Sequence, residues 1–307
     1  MNTTDRTDNR TEATTHVRTQ DRTRDQPQPQ SQKRVYVYGI GRDDGTLAPL
    51  AGGGGGGGGG VDGHDVRLVT EGGLVALVSV VPAAAFDEEP LRRRLEHLPG
   101  LEELARAHHA VVDAAFARTA VLPLRLATVY SDVERVTGML LAHRGGFAEM
   151  LTWLDGHVEL GVKVFVDPAA APPAPEHGPA HGSGPTSPGR AYLQQRRRQR
   201  RSTEDLYRAA EEVTGQVTRA VLETARASVA HRTQQGELSG GRGVNVANRA
   251  YLVPANAEAR FRAEVEAAGS GVAGVRVEVT GPWAPYSFAS PVTEGGIEGG
   301  EGGTAPR

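Results

Sequence analysis

The chain has 307 residues, 38% of them hydrophobic, and a formal net charge of −3 at pH 7. This length allows one large domain or two ordinary ones, and a charge so near neutrality argues against a dedicated nucleic-acid-binding protein. Because cysteine is absent, the sequence excludes disulfide frameworks, thiol nucleophiles and cysteine metal sites. It shows no apolar leader and no stretch of about 18 consecutive apolar residues, so we expect a soluble, cytoplasmic protein with no membrane partner.

Low-complexity segments take up much of the length. Residues 1–34 are mostly Thr, Asp, Arg and Gln, a composition too polar to offset the entropy lost on ordering, so we expect a disordered arm. The glycine insert at 52–60 and the Pro-, Gly-, Ala- and His-rich segment 168–189 predict flexible connections. The acidic, glycine-rich end, 291–307, predicts a disordered tail.

The first of two remaining blocks, 35–167, begins with strand patterns. VYVYGI (35–40) alternates, with the valines on one face and the tyrosines on the other. LVALVSVV (74–81) is apolar throughout, which is typical of a strand covered on both faces. Helical three-four spacing of apolar residues follows from Asp87 onward.

The rest of this block contains one ambiguous segment between clearer ones. VLPLRLATVY (121–130) is apolar but carries Pro123, so it predicts a short edge strand or an extended turn. A second helical stretch, 132–154, leads into VELGVKVFV (158–166). That last segment alternates strictly and predicts a strand.

The second block, 190–290, also mixes helices with strands. Its patterns predict, in order, a long helix (190–232), a strand (244–253), a helix (256–268) and a strand (275–280) that leads into GPWAPYSFA (281–289). Few strands per block favour an α+β fold with two domains, in which helices pack on one face of each sheet. We predict a ferredoxin-like topology for the first domain and a reduced α+β version, with the long helix, for the second.

Signatures of catalysis, cofactors and metals are weak. The glycine insert lacks the Lys-Ser/Thr pair and the spacing of a phosphate-binding loop. His109 and Asp113 lie four residues apart and could supply two metal ligands, but no third ligand is evident, and a surface interaction between them is the simpler interpretation. Ser287 lies in no Gly-x-Ser-x-Gly elbow. We therefore expect no enzyme, no cofactor and no metal.

An arginine cluster offers the main alternative function. Arg196 to Arg201 holds five arginines in six residues, which could bind phosphates. Such a run is more often a solvated helix surface, so we expect no nucleic-acid partner.

The closing motif GPWAPYSFA carries no acid, base or metal ligand. Its glycine permits a turn, its prolines fix the backbone, and its three aromatic residues bring large apolar faces. Such residues can plug the seam between two blocks, or they can form a rigid protein-binding surface. The residues alone favour the structural interpretation.

Several segments, taken in order, resemble the gas vesicle accessory proteins of the F/L family (GvpF/GvpL). The most specific are the closing GPW-x-PYSFA and the PLR-L-x-T-V-Y element, and the others are VYVYGI, LVALVSVVP, HHAVVDAAF, WLDGHVELGVKVFV and ANRAYLVP. The resemblance covers both folded blocks. It implies two α+β domains, the first ferredoxin-like, and a non-enzymatic role in gas vesicle formation.

The resemblance also implies partners. It indicates a minor component or assembly factor, on the vesicle surface or on an assembly intermediate, that contacts the hydrophobic major shell protein and other accessory proteins and limits aggregation of the shell protein. We predict that an edge strand or aromatic surface makes the contact. The predicted contact residues are Pro123, Arg125, Tyr130, Pro282, Trp283, Pro285, Tyr286 and Phe288. A ferredoxin-like regulatory module that binds a small molecule remains the alternative.

Overall fold

A computed structural model describes residues 32–53, 59–170, 188–233 and 243–289. Most of the predicted arm and linker, residues 54–58 of the glycine insert, and the predicted tail lie outside these described residues. Within the described part of the chain, no helix is long and apolar enough to cross a membrane.

The described residues form a mixed α/β structure with antiparallel sheets. The strands are β1 (Lys33–Arg42), β2 (Val66–Glu71), β3 (Leu74–Pro82), β4 (Leu122–Pro123), β5 (Val129–Tyr130), β6 (His157–Val166), β7 (Ala227–Ala230), β8 (Val244–Pro254) and β9 (Val275–Trp283). The helices are α1 (Ala83–Phe86), α2 (Glu88–Glu96), α3 (Leu98–Phe116), α4 (Val133–Ala142), α5 (Arg144–Leu154), α6 (Pro188–Ala220) and α7 (Glu258–Gly269).

The first sheet has the strand order β2-β3-β1-β4, and β5 also pairs with β1. All of these pairs are antiparallel. Between β1 and β2, short 3₁₀ turns stand among the described residues where a ferredoxin-like unit has a helix. The ferredoxin-like description therefore stays a prediction.

Both faces of the first sheet are covered. The tyrosines of β1 share one buried cluster with α1, α2 and α3, whereas Val35 and Val37 share another with α4 and α5. The alternation of β1 predicted this division of side chains. The prediction of helices on one face only was wrong for this sheet, because β1 and β3 are apolar on both faces and each face needs a cover.

The second sheet has the order β7-β8-β6-β9. Its central strand β6 lies within the predicted first block, 35–167, but it pairs with β8 and β9 along its length. The predicted helix 190–232 ends at Ala220, and β7 follows it. Alternation reveals the buried face of a strand but not its partners, so the sequence alone could not show that β6 pairs in the second sheet. The division of the chain into domains stays a prediction.

The two sheets share a layer of the core. One face of the second sheet packs against α6 and α7. On the other face, Ala250 and Leu252 of β8 belong to the same buried cluster as Leu151 of α5 and Val37 of β1. This shared cluster, which includes residues of α4 and α5, joins the two sheets, and the chain after β9 returns to this seam.

Candidate protein-binding site

The closing segment, residues 281–289, begins as the end of β9. Gly281 has a φ of 103°, and a Cβ on it would lie 2.7 Å from the backbone oxygen of Glu159. Only glycine combines that backbone angle with that close approach. The Gly281–Pro282 peptide bond is cis, and Arg262 of α7 donates to the Gly281 carbonyl at 2.7 Å. The turn is therefore tied to the second sheet.

The closing segment buries some of its apolar residues and exposes others. Ala284, Pro285 and Phe288 are buried. Pro282 is exposed, and Trp283 remains 41% exposed. The structural and the functional interpretations therefore apply to different residues of one motif: the second half is core, and Trp283 is surface.

Its buried residues contact both sides of the first sheet's edge. Ala284 and the half-buried Tyr286 join the cluster that contains α3. Phe288 joins the other cluster, where its ring meets that of Trp153 edge-on at a centroid distance of 6.1 Å. The closing segment thus straddles the edge formed by β4 and β5 and closes the seam between the two sheets.

The predicted edge segment, 121–130, shares its two buried clusters with this closing segment. Pro123 is buried in β4, Tyr130 is half-buried in β5, and Arg125 in the turn between them is exposed. Burial raises the pKa of the Tyr130 hydroxyl. The predicted short edge strand is confirmed, but β4 and β5 are two residues each and partly covered, so Arg125 is the accessible predicted residue there.

A polar cluster anchors the closing segment to β6. Ser287 donates its backbone N–H and its hydroxyl to the two carboxylate oxygens of Glu159, at 2.7 Å each. His231 Nε2 lies 2.9 Å from the same hydroxyl oxygen. Burial raises the pKa of Glu159, and the bonds from Ser287 act in the opposite direction. The arrangement orients the turn that carries Ser287 and fixes it to β6.

A second cluster holds Trp283 at the surface. His109 of α3 stacks near Trp283 and Tyr286, with ring centroids 5.4 and 5.8 Å apart. Its Nε2 lies 3.1 Å from an Asp113 carboxylate oxygen. No group of three His, Asp or Glu that could hold a metal occurs in the described ranges. The His109–Asp113 pair positions aromatic rings.

Beneath this surface lies a buried tyrosine–histidine network. The Tyr36 hydroxyl lies 3.0 Å from His108 Nδ1 and accepts from the Ala127 backbone N–H at 3.1 Å. Burial lowers the pKa of His108 to about 4, with the Leu124 backbone acting in the opposite direction, so the ring is neutral at pH 7. Burial also raises the pKa of Tyr286.

Sequence reasoning missed the anchoring residues. Glu159 is the one acid in the alternating segment VELGVKVFV, and an acid in an otherwise mostly apolar strand was the available signal of a special role. Gly60 was taken for spacer, yet a Cβ on it would lie 2.2 Å from the Tyr38 hydroxyl. The arginine cluster lies in α6, where the described side chains of Arg196, Arg197, Arg200 and Arg201 are exposed.

Comparison with known proteins identifies relatives along the whole described structure. The family described as gas vesicle synthesis protein GvpL/GvpF matches residues 34–290. Gas vesicle protein L of Streptomyces sp. (strain CB03234) is 43% identical over 255 residues, which cover 83% of this chain and 92% of that protein. Gas vesicle protein F of the same organism is 33% identical over 135 residues, 44% of this chain and 50% of that protein.

Solved structures show the same fold. The crystal structure of the gas vesicle protein GvpF from Anabaena sp. PCC7120 is similar with a TM-score of 0.59 and 20% identity, over 87% of this chain and 100% of that one. GvpF from Microcystis aeruginosa is similar with a TM-score of 0.55 and 20% identity, over 84% and 99%. The family match includes both sheets and the closing segment.

Proposed function

The chain belongs to the gas vesicle synthesis protein GvpL/GvpF family, and from that premise we propose that it is an assembly factor that binds the hydrophobic major shell protein. By covering apolar surface of the shell subunit before the shell forms, it would limit aggregation during vesicle nucleation. Other accessory proteins would join the same assembly. In this proposal the protein acts without catalysis, on the vesicle surface or on a cytoplasmic assembly intermediate.

The observation that carries the binding role is the exposure of Trp283. Large aromatic residues at the surface dominate the energy of protein interfaces, because they bury much area and lose little conformational entropy. Trp283 is 41% exposed although its neighbour Ala284 is fully buried. Fixed backbone on one side and His109 on the other present this ring to a partner.

The accessible predicted residues divide the candidate contact surface into two parts. Pro282 and Trp283 lie at the end of β9, and Arg125 lies in the turn between β4 and β5. Leu126 and Tyr286 belong to one cluster, which links the two parts. Pro123, Pro285 and Phe288 are buried, so they would affect binding only indirectly, by holding the exposed residues in place.

The domain description and the branch of the family form part of the proposal. Two sheets support two α+β units, and because β6 pairs within the second sheet we propose a boundary at the turn after α5. Identity with a gas vesicle protein L along 92% of its length supports the L branch for this chain, because the F relative aligns over half of its own length.

Co-expression with the major shell protein tests the proposed function. The tagged chain is captured, and the soluble fraction of the shell subunit is measured with and without it. We expect co-purification and a larger soluble fraction. Absence of both, with a chain that still melts cooperatively, would overturn the shell-binding role and favour a regulatory module, for which a metabolite should raise the melting temperature.

A further inference from the structure

The second sheet ends in an edge strand. Within the described part of the chain, β9 pairs with β6 alone. Residues 275–280 match residues 161–166 of β6 in unbroken register. An edge strand presents backbone N–H and C=O groups on its outer side, and these can pair with a further strand. The strands at the edge of the first sheet, β4 and β5, have two residues each, and β7 has only four.

A groove lies beside this edge, between β9 and α7. Its volume is about 530 Å³, and its apolar lining consists of Val265, Val275, Val277 and Val279. The β9 valines are only half-buried. At Gly269 the helix and the strand approach so closely that an added Cβ would lie 2.7 Å from Val277. The groove is therefore a fixed feature of the helix–strand packing.

We propose that β9 and this groove bind one extended, apolar segment of the major shell subunit by strand addition. Side chains on neighbouring strands align on the same face of a sheet, so alternate side chains of an added strand would enter the groove below α7. Since the described pairs of this sheet are antiparallel, the segment would run antiparallel to β9. This inference rests on the proposed function and names the surface that performs it.

The charges around the groove favour an uncharged segment. Arg262 pairs with Glu258 at 2.9 Å and also donates to the Gly281 carbonyl. Arg276 pairs with Glu278, and its guanidinium lies over the Phe165 ring at 4.4 Å. Glu266 also lines the groove and is exposed. Because the other charges at the rim are paired with opposite charges and the lining includes four valines, the surface fits apolar side chains better than a charged peptide.

A bulky residue at an exposed position tests the groove without disturbing the core. Ser270 is exposed and lines the groove, so Ser270→Trp fills the groove from outside. Ala267 is exposed in the last turn of α7 but lies outside the lining, and Ala267→Trp is the matched control. The probes are the co-expressed shell subunit and overlapping 15-residue peptides that span its sequence. Cooperative melting verifies that both variants fold.

We expect one apolar peptide to bind the unmodified chain and the Ala267→Trp variant alike, and to bind Ser270→Trp at least tenfold more weakly. Binding should also slow hydrogen exchange of the backbone amides in residues 275–280. If Ser270→Trp still retains the shell subunit, the groove is not the binding surface, while the proposed function stands. Absence of shell binding by the unmodified chain overturns both. If the chain alone forms a concentration-dependent dimer that protects the same amides, a second copy of the chain occupies the edge of β9. That result would overturn the proposal that a shell segment binds there.

Discussion

Ser287 donates both its backbone N–H and its hydroxyl to the carboxylate of Glu159, at 2.7 Å in each case. One residue of the closing segment thereby satisfies both oxygens of a largely buried carboxylate on the central strand of the second sheet. Burial raises the pKa of Glu159, and the two bonds oppose this shift because they favour the charged form. The carboxylate and the turn that carries Trp283 therefore stabilise each other.

Ser287→Ala should destabilise the protein by about 1–3 kcal/mol at pH 7, because it leaves a buried charged acceptor short of one donor. Loss of the Ser287 hydroxyl donor should raise the pKa of Glu159 further. The folded variant then binds the proton at higher pH, so its deficit should shrink as the pH falls through the pKa of Glu159. Urea unfolding at several pH values measures this difference.

The control is Ser228→Ala, which removes an exposed hydroxyl that accepts from Arg249 and should change stability by less than about 0.5 kcal/mol. A deficit for Ser287→Ala that does not depend on pH would contradict the role of the carboxylate.

Gly60→Ala should destabilise the first sheet, although the glycine ends a low-complexity run. The new Cβ would lie 2.2 Å from the Tyr38 hydroxyl and 2.6 Å from Ser79 Oγ, which hydrogen-bond each other at 2.8 Å. Displacing that buried pair should cost about 1–3 kcal/mol in thermal or urea unfolding. Gly138→Ala in α4 meets no atom within 4 Å and should instead stabilise by up to about 1 kcal/mol. Equal effects of the two substitutions would show that Gly60 is not packed as described.

Local patterns predicted most of the elements. The alternation of β1 gave the correct faces for its valines and tyrosines, and Pro123 gave a short edge strand. These features depend on side-chain period and on proline, which act within a few residues. The strand pairing of β6 depends on residues about 80 to 120 positions away in the chain, and no local pattern carries that information.

Only part of the candidate site could be predicted, again because local patterns carry no information on distant contacts. The aromatic content of GPWAPYSFA marked the segment as architecture or recognition, but burial separates Trp283 from Phe288 only in the folded chain. The sequence argued against Ser287 as a catalytic serine but could not reveal its partner, which is an acid on a distant strand. Composition reveals which residues can take part in a seam, whereas the fold decides which of them remain exposed.

His108 should make the protein less stable as the pH falls below neutrality. Burial lowers its pKa from 6.5 to about 4, so the unfolded chain takes up a proton near pH 6.5 and the folded chain does so near pH 4. Between these values the unfolded state binds more protons, and stability should decrease by at most about 1.4 kcal/mol per pH unit of acidification. Glu159 opposes this trend, since its raised pKa favours proton uptake by the folded state.

The comparison with His108→Asn isolates the histidine. The variant loses packing at every pH, so the relevant quantity is the slope of unfolding free energy between about pH 6.5 and 4. We expect a flatter slope for the variant in urea titrations. Parallel slopes would mean that His108 is already protonated in the fold or accessible to water.

Trp283→Ala and Phe288→Ala should separate recognition from architecture within one motif. Phe288 is 6% exposed and packs against Trp153, so its truncation should cost about 3–5 kcal/mol. Trp283 is 41% exposed, and its loss should cost only about 1–2 kcal/mol of stability, because much of its area already faces water. Melting curves of both variants measure these losses.

Trp283→Ala should nevertheless weaken capture of the co-expressed shell subunit at least tenfold, since an exposed aromatic in a rigid turn is the kind of residue that dominates an interface. Leu98→Ala removes another exposed apolar side chain, 64% exposed at the start of α3, and should leave capture unchanged. Loss of cooperative melting in Trp283→Ala would assign the ring to the seam instead. Normal melting with undiminished capture would remove Trp283 from the contact surface and leave the β9 groove to account for binding.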